Sequence, residues 1–234
     1  EFLQDDATHY RLGEIDYTVI STPMVYDIVA LQYLYGANNN FNGENTTYTF
    51  DPETPLIKTI WDSGGIDTID LSRLEKNNTL NLEPGGYSTI ISDNWSMSNN
   101  LGIAYNVIIE NVFGGIGNDT IFGNMSANSI LGNSGDDPID GKAGDDIIEG
   151  GLGNDKLTGG AGSDTFRYSK GDGNDKIIDF NSAVDRLEYS GFSELEKSTF
   201  IESVTENGSR KITLSDGSYL TLEGVSSVTL TSTV

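Results

Sequence analysis

GGIGNDTIF, GNMSANSIL, GNSGDDPID, GKAGDDIIE, GGLGNDKLT and GGAGSDTFR follow one another without a gap from Gly114 to Arg167. These six nine-residue blocks keep strict register, with first glycines at Gly114, Gly123, Gly132, Gly141, Gly150 and Gly159. The shared pattern is G-G-x-G-x-D-x-U-x, where U is a large apolar residue. A fixed short period of this kind marks a parallel coil in which each repeat adds one turn and one very short strand. Position eight holds Ile121, Ile130, Ile139, Ile148, Leu157 and Phe166, all expected to point into the narrow space between two stacked sheets. A disordered, acidic, glycine-rich linker would not keep an apolar residue at every eighth position.

The turns carry the chemistry. Glycine is needed where the backbone takes positive φ or passes close to an ion. Position six supplies Asp119, Asp137, Asp146, Asp155 and Asp164. Calcium takes about six to eight oxygens, usually carboxylates mixed with backbone carbonyls, and glycine-rich turns expose such carbonyls. The blocks therefore read as a calcium-binding parallel β-roll. Two blocks make one coil, so one edge stacks Asp119, Asp137 and Asp155 and the other stacks Asn128, Asp146 and Asp164. An ion between stacked turns would draw on residues eighteen apart. Asn128 brings only a neutral oxygen, and Ser126 replaces a glycine in the same block. The Asn128–Asp146 site is expected to be the weakest, or empty. Pro138 removes one strand N–H, which places it at an edge or a bulge.

Composition agrees. The 234 residues suffice for one large or two small units, and the formal net charge is −23 with a pI near 4.1. Such acidity repels nucleic acid and anionic membranes, and repels itself unless cations are bound. The chain has no cysteine, so calcium takes the stabilising role that disulfides play in many secreted domains. No apolar run approaches a membrane span, and no N-terminal signal peptide is visible, which leaves export by a C-terminal signal.

Outside the blocks, Met24, Ile28, Leu31 and Tyr35 fall at helical spacing in a run that stops at Gly36. From about residue 46 to 112 come short alternating runs, TTYTF, LIKTIW, DTIDLS, TLNLE and VIIENVF, which read as strands leading into the repeats. RKITLSDGSYLTLEGV reads as a hairpin turning at Asp216-Gly217.

Together these segments resemble the C-terminal region of the serralysin-type secreted zinc metalloproteases, which include bacterial alkaline proteases. TPMVYDIVALQYLYGAN resembles the helix ending that family's catalytic domain; WDSGGIDTIDLS and VIIENVFGGIGND are similar to its lead into the roll, and DKIIDF and ITLSDGSYLTLEGV to its closing region. The resemblance implies an all-β fold, a parallel β-roll merged with a β-sandwich, with a short N-terminal helical segment. It implies that residues 1–40 correspond to the end of a catalytic domain and 41–234 to the C-terminal domain, with the roll at 114–167 and a closing and secretion region at 168–234.

It also implies ligands. A first calcium site would use Asp62, Gly64, Gly65, Asp67 and Glu110, with Thr46 from an earlier loop; the threonine usual two residues before the glutamate is Ile108. Roll ligands would be positions one, two, four and six: Gly114, Gly115, Gly117 and Asp119; Gly132, Asn133, Gly135 and Asp137; Gly141, Lys142, Gly144 and Asp146; Gly150, Gly151, Gly153 and Asp155; Gly159, Gly160, Gly162 and Asp164. Asp175 and Asp179 resemble the acids that close the last site.

No catalytic centre is expected. A zinc protease of this kind needs H-E-x-x-H and a third histidine. This chain has one histidine, His9, read as a surface residue, and no zinc is expected. DYTVIS resembles the family's methionine turn, but Ile20 stands for the methionine and Thr22 for the tyrosine that follows. The adjacent Asp136 and Asp137 suit calcium better than glycosidase chemistry. The leading function is a secreted calcium-binding roll that folds outside the cell and supports type I secretion. A second reading is the non-catalytic part, or a degenerate relative, of a protease with an upstream zinc domain. A third is a carbohydrate- or surface-binding module, with Trp61, Trp95, Tyr87 and Tyr105 as sugar platforms.

Overall fold

The computed structural model describes residues 10–12, 15–17, 24–36, 38, 40–54, 56–92, 96–205, 209–223 and 225. His9, Ile20, Thr22, Trp95 and all but Val225 of the closing VSSVTLTSTV lie outside them. Each nine-residue block contributes one short strand, and successive blocks alternate between two sheets. One sheet is wholly parallel and stacks Thr47–Thr49, Thr68–Asp70, Asn111–Phe113, Ser129–Ser134, Ile147–Leu152, Thr165–Ser169 and Arg186–Ser190. The other stacks Thr79–Asn81, Thr120–Phe122, Pro138–Asp140, Lys156–Thr158, Asn174–Ile177 and Tyr219–Leu222 in parallel. Arg210–Thr213 and then Ile201–Val204 extend that sheet antiparallel.

The register explains the apolar position. In the first sheet Tyr48, Ile69, Val112, Ile130, Ile148, Phe166 and Leu187 stand opposite one another from strand to strand. In the second, Leu80, Ile121, Ile139, Leu157, Ile177 and Leu222 do the same. All are buried, and they meet in one continuous core. Each such side chain contributes roughly 1.5–3 kcal/mol by leaving water. The core is one residue thick per strand, so it cannot also compensate for charge buried at its edges. The segment before the repeats is part of this coil, which extends two coils further toward the N-terminus than the glycine pattern does.

A smaller sheet orders Lys58–Ile60, Leu101–Ile103 and Tyr87–Ser88. The helix Val25–Tyr35 ends at Gly36, whose φ of 82° suits glycine. It packs Val25 against Gly102, where a Cβ would lie 2.7 Å from the valine methyl. The buried stripe is Val25 and Ile28, whereas Tyr35 of the expected stripe is 82 % exposed. The hairpin forms as expected, with Gly217 at φ 91°. The pair Phe166 and Phe180 and the run Tyr168, Phe192, Phe200 and Tyr189 seal the C-terminal end of the roll, with paired ring centroids 5.1–6.4 Å apart.

Pro138 is a correction. It heads an inner strand, between Thr120–Phe122 and Lys156–Thr158, and sits at neither an edge nor a bulge. The equivalent residues Thr120, Lys156 and Lys176 donate their N–H to Asn78, Asp137 and Asp155 carbonyls, so proline deletes the rung to the Asp119 carbonyl. A three-residue strand tolerates this because Pro138 is its first residue and its side chain is exposed.

Gly153 and Gly171 both take positive φ, 148° and 98°, but only at Gly153 would a Cβ overlap a stacked carbonyl, that of Gly135; nothing lies near Gly171. Gly171→Ala is expected to cost about 1–2 kcal/mol, the left-handed strain alone. Gly153→Ala should cost more and broaden the transition, because adjacent coils must separate. Urea unfolding of both variants in excess calcium measures the difference, and equal losses would show that crowding between turns is unimportant.

Candidate metal centre

The residue before each strand carries a side-chain oxygen, and stacking the coils lines these residues into two columns. On one edge Asn78 N donates to Asp119 Oδ1 at 2.7 Å, Asp119 N to Asp137 Oδ1 at 2.7 Å, Asp137 N to Asp155 Oδ1 at 2.8 Å, and Asp155 N to Asp175 Oδ1 at 3.0 Å. On the other, Thr46 N donates to Asp67 Oδ1 at 2.8 Å and Asp67 N to Glu110 Oε2 at 2.7 Å. That column continues from Asn128 N to Asp146 Oδ1 at 2.7 Å, Asp146 N to Asp164 Oδ1 at 3.0 Å and Asp164 N to Asp185 Oδ1 at 3.0 Å. Each rung thus satisfies one carboxylate oxygen and one backbone N–H.

The second oxygen is the informative one. Oδ2 of Asp67, Asp137, Asp146 and Asp155 is buried without a hydrogen-bond partner. A carboxylate so placed carries charge that neither water nor a donor offsets. Burial pushes Asp137 up to about 8, with neighbouring Asp155, Asp119 and Asp136 adding to it. Burial likewise raises Asp146 to about 7, helped by Asp164 and Asp145, and Asp67 to about 6, helped by Asp62 and Glu110. Burial also raises Asp155, with Asp136 and Asp172 adding to it, and Asp175, with Asp155 and Asp172 adding to it.

The turns leave room beside these oxygens. A Cβ at Gly132, Gly141, Gly150 or Gly159 would overlap the second carboxylate oxygen of its own block. Positions two and four turn left-handed together in blocks three to six: Asn133 and Gly135, Lys142 and Gly144, Gly151 and Gly153, Gly160 and Gly162. Lys142 holds φ 76° while its ammonium pairs with Asp140 at 2.7 Å and lies 5.0 Å from the Phe122 ring. In block one Gly114, Gly115 and Gly117 do not take positive φ, and Gly115 N closes back onto Asp119 Oδ2 at 2.5 Å. Among the described residues no three His, Cys, Asp or Glu side chains converge on one point. The carboxylates are strung along columns between backbone carbonyls, a donor set that suits a hard, oxygen-seeking cation and lacks the nitrogen and sulfur ligands zinc prefers.

At the N-terminal coils Asp62 and Glu110 both lie near enough to raise Asp67, without the three converging on one point. Tyr48 Oη donates to Asp62 Oδ2 at 2.5 Å and Gly64 N to Asp62 Oδ1 at 3.0 Å. Gly64 and Gly65 have φ of 143° and 126°, and a Cβ on Gly65 would lie 2.7 Å from the Glu44 carbonyl. Ile108 is 45 % exposed. Asp175 and Asp179 do not close one site together. Asp175 stacks on Asp155, whereas Asp179 accepts from Gly159 N and Gly160 N, at 3.0 and 2.8 Å, on the opposite edge. Asp175 lies within the strand Asn174–Ile177, and Asp179 lies two residues beyond its end. Of the aromatics proposed as sugar platforms, Trp61 packs on the core and on Phe41, Tyr87 is half-buried, and Tyr105 is 39 % exposed.

Residues 26–227 match the family described as peptidase M10, serralysin C terminal. The chain belongs to that family. Metallopeptidase AprA of Pseudomonas marginalis is 40 % identical over 213 residues, which cover 86 % of this chain and 43 % of that protein. Serralysin of Proteus mirabilis is 38 % identical over 109 residues, 42 % of this chain and 21 % of its own. This serralysin C-terminal chain therefore spans less than half the length of these curated relatives. Among solved structures, the AlgE6R3 subunit of the Azotobacter vinelandii mannuronan C5-epimerase shares 31 % identity over 47 % of this chain and 74 % of its own, with a TM-score of 0.37.

Several column residues escape the glycine pattern. Residues 170–178, KGDGNDKII, form a seventh block displaced by two residues, with Gly171 and Gly173 at φ 98° and 120° in positions two and four. Residues 180–188, FNSAVDRLE, form an eighth without glycine, keeping Asp185 and Leu187 at positions six and eight. Asn78 heads a column with no glycine block before it. The usable signal was an oxygen-bearing residue two before a buried apolar one.

The raised carboxylates fix the pH dependence of the calcium-free serralysin C-terminal domain. Their folded values lie above the unfolded 3.8, so the folded state holds more protons between about pH 4 and 8, and stability falls as pH rises through that window. In EGTA, the melting temperature at pH 5.5 should exceed that at pH 8 by about 5 °C or more. Thermal scans by circular dichroism check this, and a melting temperature that rises with pH would contradict it.

Proposed function

We propose that this chain is a secreted, calcium-binding β-roll domain that folds on calcium binding and supports type I secretion and extracellular stability. The observation that carries the reading is the set of buried carboxylate oxygens without partners at Asp67, Asp137, Asp146 and Asp155, each beside glycine-shaped space. In the proposed mechanism the column carboxylates repel one another until cations neutralise them, so metal binding and coil stacking are one event. Asp119, Asp137, Asp155 and Asp175 would hold ions on one edge and Asp146, Asp164 and Asp179 on the other, with Asp62, Asp67 and Glu110 forming the N-terminal site. Carbonyls at positions one, two and four complete the shells. Calcium is scarce inside cells, roughly micromolar or less, and about millimolar outside, which would keep the chain expanded or partly unfolded for export and complete its folding on arrival.

In the same reading, residues 1–40 are the end of a catalytic domain and 41–234 the C-terminal domain, so the natural partner is a zinc protease domain upstream. The chain's own contribution is positioning and stability. One histidine and no cysteine leave it no three-histidine zinc set of its own.

Circular dichroism in EGTA and in millimolar calcium tests the proposal. Calcium should raise both β content and melting temperature, adding about 2.7 kcal/mol of stability for each site at a hundredfold excess over its Kd. Asp137→Asn with Asp155→Asn should act in opposite directions in the two conditions, stabilising the calcium-free form by removing buried charge while weakening the response to calcium. An unchanged spectrum and melting temperature in EGTA would refute calcium-coupled folding.

A further inference from the structure

Block two, GNMSANSIL, breaks the repeat at the positions that elsewhere look built for a cation, and its replacements are specific. Asn124 stands at position two and Asn128 at position six; they are 2 % and 3 % exposed. Their side-chain amides converge on the turn below. Asn124 Nδ2 donates to the Ile109 carbonyl at 2.8 Å, and Asn128 Nδ2 to the carbonyls of Ile109 at 3.1 Å and Glu110 at 3.3 Å. The amide oxygens are occupied as well. Asn124 Oδ1 accepts from Ser126 N at 2.8 Å and Asn128 Oδ1 from Asn124 N at 2.9 Å, which sets the orientation of both amides.

The contrast with the following blocks is chemical. There the second aspartate oxygen of Asp137, Asp146 and Asp155 has no partner, and position two is left-handed. In block two, position two is not left-handed, and its N–H turns inward to close the turn on Asn128. Each carbonyl that would otherwise face a cation meets an N–H donor instead. A carboxylate at 128 would set a negative oxygen against the Ile109 and Glu110 carbonyls, an arrangement only a cation could hold.

We propose that Asn124 and Asn128 form an amide plug that takes the place of a cation, so that the junction between the Glu110 turn and block two closes without calcium while the rungs at Asp137, Asp146 and Asp155 require it. The plug also separates the N-terminal site from the ion-dependent rungs of the later blocks. Asn181 N closing on Asp185 Oδ2 at 2.7 Å, as Gly115 N closes on Asp119 Oδ2, gives the stack self-closed turns at both ends. The inference rests on the calcium reading of the later rungs.

Hydrogen exchange by mass spectrometry on the whole chain separates the two ideas. Going from EGTA to millimolar calcium, amides of residues 137–156 should gain protection by about 100-fold, while those of 124–131 change by less than about threefold. Asn128→Asp should make 124–131 calcium-dependent and add one ion to the stoichiometry seen by native mass spectrometry. Asn128→Ala should lose protection there that calcium does not restore. If 124–131 responds in the wild-type chain as strongly as 137–156, or if folded Asn128→Asp binds no additional ion, the plug is refuted. Should neither window respond, the calcium reading itself fails. Should Asn128→Asp not fold, the wild-type windows and Asn128→Ala decide the matter.

Discussion

Most coils of this protein rest on a backbone N–H donated to a carboxylate of the next coil, with the other oxygen of Asp67, Asp137, Asp146 and Asp155 left unpartnered in the interior. That one contact fixes the distance between coils, aligns the residues before each strand into columns and concentrates negative charge where water does not reach. It is favourable as a charge-assisted hydrogen bond and unfavourable as a buried charge. Neither sheet can relieve the conflict, because the core holds one apolar side chain per short strand.

The remaining features follow from this contact. Glycine at position one leaves space beside the second oxygen, and glycine at position four lets stacked turns approach within carbonyl contact. Other turns close on themselves, through Gly115 N on Asp119, through the two asparagines of block two, or through Asn181 N on Asp185. The ends are sealed differently again, by the smaller sheet and helix on one side and by the aromatic cluster around Phe192 on the other. A solenoid contacts only its neighbours, so both the strength and the metal dependence of the stack are local properties that vary along it.

Much of this was legible in the blocks themselves. Period and apolar position located Ile121 to Phe166 in the core and paired Asp137 with Asp155 and Asp146 with Asp164, because two blocks close one coil. The reach of the coil was harder to read. Thr46, Asp67, Asn78 and Glu110 sit in the columns although no glycine block introduces them; left-handed residues precede three of them, at Asn42, at Gly64 and Gly65, and at Asn106, but outside the nine-residue period. The seventh and eighth blocks were hidden by insertions that a coil accommodates at its turns. Pro138 was misplaced because a lost N–H matters less at the first residue of a three-residue strand than in a longer one.

The sequence by itself determined the parallel roll, its handful of apolar contacts per coil and the excess of acid, because a nine-residue period admits only one way to keep a large residue inside and a carboxylate at each turn. It also determined the family. Only the tertiary structure decided which carboxylates are satisfied and which are left wanting. Asp119 and Asp137 occupy the same position of the same repeat, yet one closes on its own turn and the other does not, because φ at position two, set by contact with the coil below, decides whether the backbone N–H points inward. That choice depends on residues eighteen or more positions away, and stacking alone brings them together.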